Sequence, residues 1–203
     1  INKFVIERQN EQNQTVDGQQ RISLPSEFST TIVGRGYEWL SKYGLTAAET
    51  LRAGWGWSEY RQQLLFPFYD KTGTLCCLQA RNFSPEWASK AKYWNIGDKT
   101  ESETIYSKEN YRGSNKSVLS LFGGRNYSNR IRRDCRAATT LVLCEDAVSS
   151  LKVARYSPSK PLLGTSLAKD KIMALRGFYD ELVVWLDSDK WKEARHLSEQ
   201  AQL

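Results

Sequence analysis

A chain of 203 residues with 40% hydrophobic content can bury a sizeable core and is too apolar to be disordered throughout. A formal net charge of +6 and a pI near 9.1 favour an anionic partner. The four cysteines, Cys76, Cys77, Cys135 and Cys144, match no zinc spacing and make a poor disulfide framework, which argues against a secreted scaffold and for a reduced, cytoplasmic setting. No run approaches the roughly 18 apolar residues of a membrane span, and no signal peptide is visible. Residue 1 is Ile1 rather than Met, so the sequence is expected to be a piece of a longer chain. Seven Trp and ten Tyr add flat faces able to stack bases, although most are expected in the core.

Residues 1–20 are rich in Gln and Asn, with one apolar run, Phe4-Val5-Ile6, and read as a linker or an edge strand followed by a loop, with disorder an equal expectation around Gln9–Gln20. Two helical pieces follow over 35–54. The first ends on Gly44 as a C-cap signal; the second opens on Thr46 with Glu49 three residues on, the pattern of a capping box. Gly54 and Gly56 break the helix. Leu64-Leu65-Phe66-Pro67-Phe68-Tyr69, the turn Asp70-Lys71-Thr72-Gly73, and the run from Thr74 to Arg81 predict a hairpin flanked by Arg61 and Arg81. Lys90-Ala91-Lys92-Tyr93-Trp94-Asn95 is again basic and aromatic. Tyr93 and Trp94 are read first as core and second as base-stacking residues. Residues 97–117 are polar. Gly123-Gly124-Arg125 is a turn able to approach a phosphate, and Arg130, Arg132, Arg133 and Arg136 form a positive cluster, either a solvated connector or a phosphate contact.

From residue 140 the pattern alternates strand and helix: strand 141–144, helix 146–155, strand 161–165 ending in a Gly turn, helix 168–175, strand 181–186, helix 190–200. Such alternation predicts a parallel sheet with helical crossovers. Two of its apolar runs end in acid: Leu141-Val142-Leu143-Cys144 in Glu145, and Leu182-Val183-Val184-Trp185-Leu186 in Asp187-Ser188-Asp189. Residues i and i+2 of a strand point to the same face, so Asp187 and Asp189 are expected to converge. Three acids at the carboxyl edge of one sheet repel unless a cation sits among them, and hard oxygen donors suit Mg²⁺. The lone His196 lies in the last helix and makes a poor acid–base group.

Glu145, Gly164-Thr165 and Asp187-Ser188-Asp189, in this order and separated by helices, resemble the TOPRIM module shared by bacterial-type primases, topoisomerases and some nucleases. Upstream, Arg61, Leu65-Phe66-Pro67, Asp70 with Gly73, Ala80-Arg81, and Lys92-Tyr93 with Asn95 resemble the basic subdomain of bacterial and phage primases, and Lys108 is similar to a lysine that this family carries shortly afterwards. The resemblance covers roughly residues 35–203. It implies an α/β protein: an α+β N-terminal subdomain followed by a TOPRIM-like, mostly parallel sheet flanked by helices. The implied organisation is an entry segment over 1–34, a basic subdomain over 35–136 and a TOPRIM-like subdomain over 137–203, truncated at its C-terminus.

The same resemblance implies a DNA primase, a DNA-directed RNA polymerase that makes short RNA on single-stranded DNA from NTPs. Glu145, Asp187 and Asp189 would be the catalytic and metal-binding acids for Mg²⁺ or Mn²⁺, with Glu145 alternatively a general base. Arg61, Arg81, Lys92 and Lys108 would contact substrate or template phosphates, and a replicative helicase would act in cis or in trans. Two positions depart from the family. Asp146 stands where Gly is usual, either as a helix N-cap or as an extra metal contact, and Lys190-Trp191 replace small residues after the Asp-x-Asp. The family's zinc-binding module has no cysteine set here, which resembles compact phage or plasmid forms. A TOPRIM nuclease is the competing enzyme, although it has no need of the upstream basic set. A non-catalytic nucleic-acid-binding module would bind DNA without responding to Mg²⁺.

Overall fold

The apolar runs on either side of Asp70–Gly73 form the long strands of the hairpin. β4 (Gln63–Tyr69) pairs antiparallel with β5 (Leu75–Asn82), here taking strand numbers in chain order after β1 (Gln14–Val16), β2 (Gln19–Arg21) and β3 (Gly56–Ser58). The turn closes because the Asp70 amide donates to the Thr74 carbonyl at 2.9 Å while the Asp70 carboxylate accepts from the Thr74 amide at 2.9 Å. Gly73 supplies the positive φ of +80° that this turn requires. The computed structural model describes residues 14–16, 19–85, 92–107 and 140–202, with side chains from residue 22 onward. The chain divides into two compact units, residues 1–70 with 74–102, and residues 71–73 with 103–203.

In the first unit β3 pairs with β4, and β6 (Tyr93–Gly97) pairs with β5, giving an antiparallel sheet in the order β3-β4-β5-β6. β4 is buried along nearly its whole length. Trp55 packs edge-on against Phe66, with ring centroids 4.6 Å apart, and Leu65, Leu78 and Ala80 form the adjacent core cluster, with Phe28 and Trp94 against it. The outer strands were not legible as strands. β3 is only three residues long, and β6 alternates exposed with half-buried residues without an apolar run, as an edge strand can. Helices α1 (Gly34–Lys42) and α2 (Ala47–Arg52) precede the sheet. The capping box at Thr46 and Glu49 is present in both directions, and Gly44 follows α1 with φ +70°.

The second unit holds the three-stranded parallel sheet, in the order β8-β7-β9. β7 is Thr140–Cys144, β8 is Ser159–Pro161 and β9 is Glu181–Trp185, with α3 (Ala147–Val153), α4 (Lys169–Arg176) and α5 (Trp191–Gln202) between and after them. Leu141 and Leu143 face a core shared with Ile172 and Leu175 of α4 and Leu197 of α5. Val142 and Cys144 alternate to the other face and are also buried, as the central strand of a parallel sheet should be. Ser150 of α3 and Ser159 of β8, both fully buried, satisfy each other: the Ser150 hydroxyl donates to Ser159 Oγ at 3.0 Å, and the Ser159 hydroxyl donates to the Ser150 carbonyl. β8 lies two residues earlier than its apolar run suggested, because the chain leaves the sheet at Leu162 for the Gly164 turn. Among the described residues no helix is long and apolar enough to cross a membrane.

Gly56 is held by close approach rather than by φ. A Cβ there would run into the Phe28 ring and lie 2.7 Å from the Ser29 carbonyl oxygen, on the backbone that bridges to Trp57. Gly56→Ala should therefore cost about 1–3 kcal/mol by overpacking. Urea denaturation with an unchanged m-value checks this.

Candidate functional site: an acidic sheet edge and a basic hairpin

The three described strands of this sheet run parallel, so their carboxyl ends lie at one edge, where ligands of open α/β sheets bind. Glu145 leaves β7 at this edge. Its backbone carbonyl accepts from the Gly164 amide at 3.1 Å, and the preceding Cys144 carbonyl accepts from Leu162 at 2.8 Å. The Gly164-Thr165 turn is thereby pinned beside Glu145. The link through Leu163 takes a φ of +54°, a conformation that a bulky side chain rarely adopts. On the other side, the Asp187 amide lies 3.4 Å from Glu145 Oε2 and donates to it. The sheet thus brings Glu145, Gly164 and Asp187 together.

Burial is the largest influence raising the Glu145 carboxyl above its ordinary range, and the Asp187 carboxylate and Asp146 push the same way. The Asp187 amide and the Lys190 ammonium pull against them without cancelling them. Asp146 is the N-cap of α3. One of its oxygens accepts from the Val148 and Ser149 amides at 2.7 and 2.9 Å, and the other accepts from the Ser149 hydroxyl at 2.7 Å. Both of its oxygens are engaged by the helix.

Asp187 and Asp189 do not share a strand face. β9 ends at Trp185, and residues 188–190 form a 3₁₀ turn closed by the Lys190 amide donating to the Asp187 carbonyl at 2.8 Å. Asp and Ser favour turns over strands, which explains the early exit. Asp189 instead pairs with Lys190 Nζ at 3.1 Å, the carboxylate side chain 71% exposed and the lysine 37%. Among the described residues no group of three His, Cys, Asp or Glu side chains is gathered closely enough to hold a metal ion. Glu145 and Asp187 nevertheless offer what Mg²⁺ takes from proteins: one or two carboxylates, with water and substrate phosphates completing the shell.

In the first unit the basic residues occupy three different environments. Arg61 lies in the turn before β4, its Nε 2.9 Å from Glu27 Oε1. Burial works against the charge on Glu27, but its own backbone amide, Arg61, Ser26 and Ser58 together hold it below the usual carboxylate range. Arg81, in β5, stands directly across from Tyr93 of β6. Its guanidinium carbon lies 4.2 Å from the Trp39 ring centroid, 4.9 Å from Tyr93 and 5.4 Å from Phe83. Lys92 is exposed at the start of β6. Lys108, the Gly123-Gly124-Arg125 turn and the arginine cluster over 130–136 lie outside the described residues. Trp39 and Phe83 had no signal along the chain; only a pairing of α1 with the end of β5 would have exposed them.

No protein-family model and no curated protein matches this sequence. Solved structures do match. A DnaG primase catalytic domain bound to single-stranded DNA superposes with a TM-score of 0.51 at 17% identity, over 81% of this chain and 56% of that one. The fold is that of primase catalytic cores. The Aquifex aeolicus primase, comprising zinc-binding and RNA polymerase domains, gives a TM-score of 0.55 at 13% identity, over 83% of this chain and 47% of that one. The primase fragment of the bacteriophage T7 primase-helicase gives 0.54 at 14% identity, over 96% of this chain and 71% of that one. The chain spans about half the length of the first two primase structures.

Two outcomes follow from this acidic edge. A carboxyl raised above its ordinary value of 4.5 binds its proton more tightly in the folded state, so its contribution to stability is lost as pH rises from 4.5 through the raised value. Glu145→Gln should therefore raise the thermal midpoint in EDTA at pH 7 but not at pH 4, while added Mn²⁺ should stabilise the wild type more than the variant, both by calorimetry. Asp146→Ala should lose about 1 kcal/mol as a missing N-cap, and Asp146→Asn should recover most of it with an unchanged response to Mn²⁺. A Mn²⁺ response abolished in Asp146→Asn would instead make Asp146 a metal ligand.

Proposed function

We propose that this chain is the catalytic core of a DNA primase that synthesises short RNA on single-stranded DNA from NTPs. The observation that carries this reading is Glu145 and Asp187 meeting at the carboxyl edge of a parallel sheet, in a chain with the primase catalytic-core fold. In the proposed reaction a 3′-hydroxyl oxygen attacks the α-phosphorus of an NTP. The new P–O bond forms as the bond to the bridging oxygen breaks, and pyrophosphate leaves with the electron pair.

Glu145 and Asp187 would hold Mg²⁺ or Mn²⁺, which when bound neutralises the triphosphate and acidifies the attacking hydroxyl. Asp189 would join them as a third carboxylate only by leaving Lys190. Its pairing with Lys190 is solvent-exposed, and such pairs contribute little, so Asp189 exchanges partners readily. The raised proton affinity of Glu145 also suits it to take up the hydroxyl proton. Arg61, Arg81, Lys92 and Lys108 would bind template or triphosphate, Arg by paired in-plane donors and Lys as a point charge. Arg61 would have to exchange Glu27 for phosphate. A helicase acting in cis or in trans fits the likeness to a primase-helicase fragment, and the cytoplasm is the compartment where these partners meet.

The pairing of Asp189 with Lys190 favours one other reading, a nucleic-acid-binding module without catalysis. A single assay separates the two. With single-stranded DNA, labelled NTPs and Mg²⁺ or Mn²⁺, the chain should make short RNA, and Glu145→Ala or Asp187→Ala should reduce the yield by about a hundredfold or more. Salt-sensitive DNA binding with no incorporation, unchanged by either substitution, would establish the binding module instead. Metal-dependent cutting without incorporation would establish a nuclease.

A further inference from the structure

The three rings around Arg81 raise a question that its place in a basic hairpin does not answer. Arg61 has a carboxylate partner at 2.9 Å, whereas Arg81 has none among the described residues. Its Nε is buried and makes no hydrogen bond. A buried N–H without an acceptor is costly, and native structures retain one only for a reason.

The surroundings supply the reason. A π face attracts the positive charge of a guanidinium but consumes none of its in-plane N–H donors. Trp39 at 4.2 Å, Tyr93 at 4.9 Å and Phe83 at 5.4 Å therefore restrict where the group sits, with Nε buried among its neighbours and the Nη donors left for an acceptor. The rings are themselves fixed. Tyr93 is the cross-strand partner of Arg81, so their side chains share one face of the sheet. Phe83 stands two residues after Arg81 and packs edge-on to Trp39 at 6.1 Å. The Phe83 carbonyl accepts from Arg35 Nη1 at 3.1 Å. Trp39 is also braced by Tyr43, at 4.7 Å between centroids.

We propose that Trp39, Tyr93 and Phe83 preorganise the Arg81 guanidinium as a phosphate-binding fork, with Trp39 as a positioning residue that acts through Arg81. This rests on the reading of the chain as one that handles nucleic acid. The acceptor is a phosphate oxygen, of a single strand or of a nucleotide. Little side-chain freedom remains for Arg81 to lose when the phosphate arrives, so the contact is stronger than one made by a solvated arginine. Charge-conserving loss of the Trp39 ring should then weaken phosphate binding as a charge loss does.

The full chain in EDTA would be titrated by fluorescence anisotropy with labelled (dT)₁₆ at several salt concentrations and, separately, with a labelled ATP. Arg81→Gln should weaken binding about five- to tenfold and reduce the salt slope by about 1. Trp39→Leu should weaken it about three- to tenfold, Trp39→Phe should restore most of that, and Trp39→Leu should have less than a twofold effect in the Arg81→Gln background. A response in the (dT)₁₆ arm alone assigns the phosphate to the strand, and a response in the ATP arm alone assigns it to the nucleotide. Equal losses from Trp39→Leu in both backgrounds, or no response in either arm, overturn the proposal. If Trp39→Leu fails to fold, Tyr93→Leu makes the same comparison from the neighbouring strand. Because no metal or incorporation is involved, failure of primer synthesis leaves this coupling measurable, and loss of the coupling leaves primer synthesis a separate question.

Discussion

The pairing of β7 with a parallel strand on each side is the constraint on which the acidic edge depends. Cys144 is in register with Pro161 of β8 and with Trp185 of β9, so three segments leave the sheet at the same level. Glu145 is the first residue beyond that level, and it touches both neighbours. Its carbonyl receives the Gly164 amide at 3.1 Å and its side chain the Asp187 amide at 3.4 Å. Slipping β9 by one residue would put its outward-facing side chains on the core face and move the Asp187 amide away from Glu145. Leu182 and Val184 pack against the core that Leu141 and Leu143 line, and this packing holds the register. The apolar sheet and the polar edge are therefore one arrangement.

What the sequence discloses about this arrangement follows physical range. The capping box at Thr46 and Glu49, the turn at Asp70–Gly73 and the capping role of Asp146 all close within a few residues, and their chemistry is visible in the local sequence. The buried run of β7 is visible because a strand covered on both faces is apolar throughout. β3 and β6 were not visible, because short edge strands need no apolar run and are defined by their partners. The convergence of Asp187 and Asp189 was expected from strand alternation, but alternation holds only while the strand lasts, and β9 stops at Trp185. The packing of Trp39 on Arg81 joins residues 42 apart through tertiary structure alone, which periodicity does not report.

Three basic side chains that look alike in sequence differ in what binding would cost each of them. Arg61 must give up Glu27, whose lowered proton affinity records how well the carboxylate is already satisfied. Lys92, exposed, must lose side-chain freedom and hydration. Arg81 is already ordered by rings and carries a buried Nε without an acceptor. Net charge therefore says that an anion is welcome, while the environment of each group decides which side chain holds it.

The acidic edge follows the same logic with the opposite sign. Glu145 keeps a raised proton affinity, chiefly through burial and in part through the Asp187 and Asp146 carboxylates, although an amide and an ammonium both act to lower it, so the edge disfavours an uncompensated negative charge. Lys190 supplies some of what is missing. Its own proton is held more tightly, chiefly through its hydrogen bond to Asp189 and then the charge of that carboxylate, with smaller help from Glu193 and Glu145. A small residue at that position would supply none. Under the proposed metal-dependent reading, a cation at Glu145 and Asp187 would meet an edge that Lys190 has partly neutralised, and recruiting Asp189 would require displacing the ammonium. Because that pair is between sequence neighbours and faces solvent, displacement costs little. Lys190 thus neutralises part of the edge without sealing it, because its pair with Asp189 faces solvent.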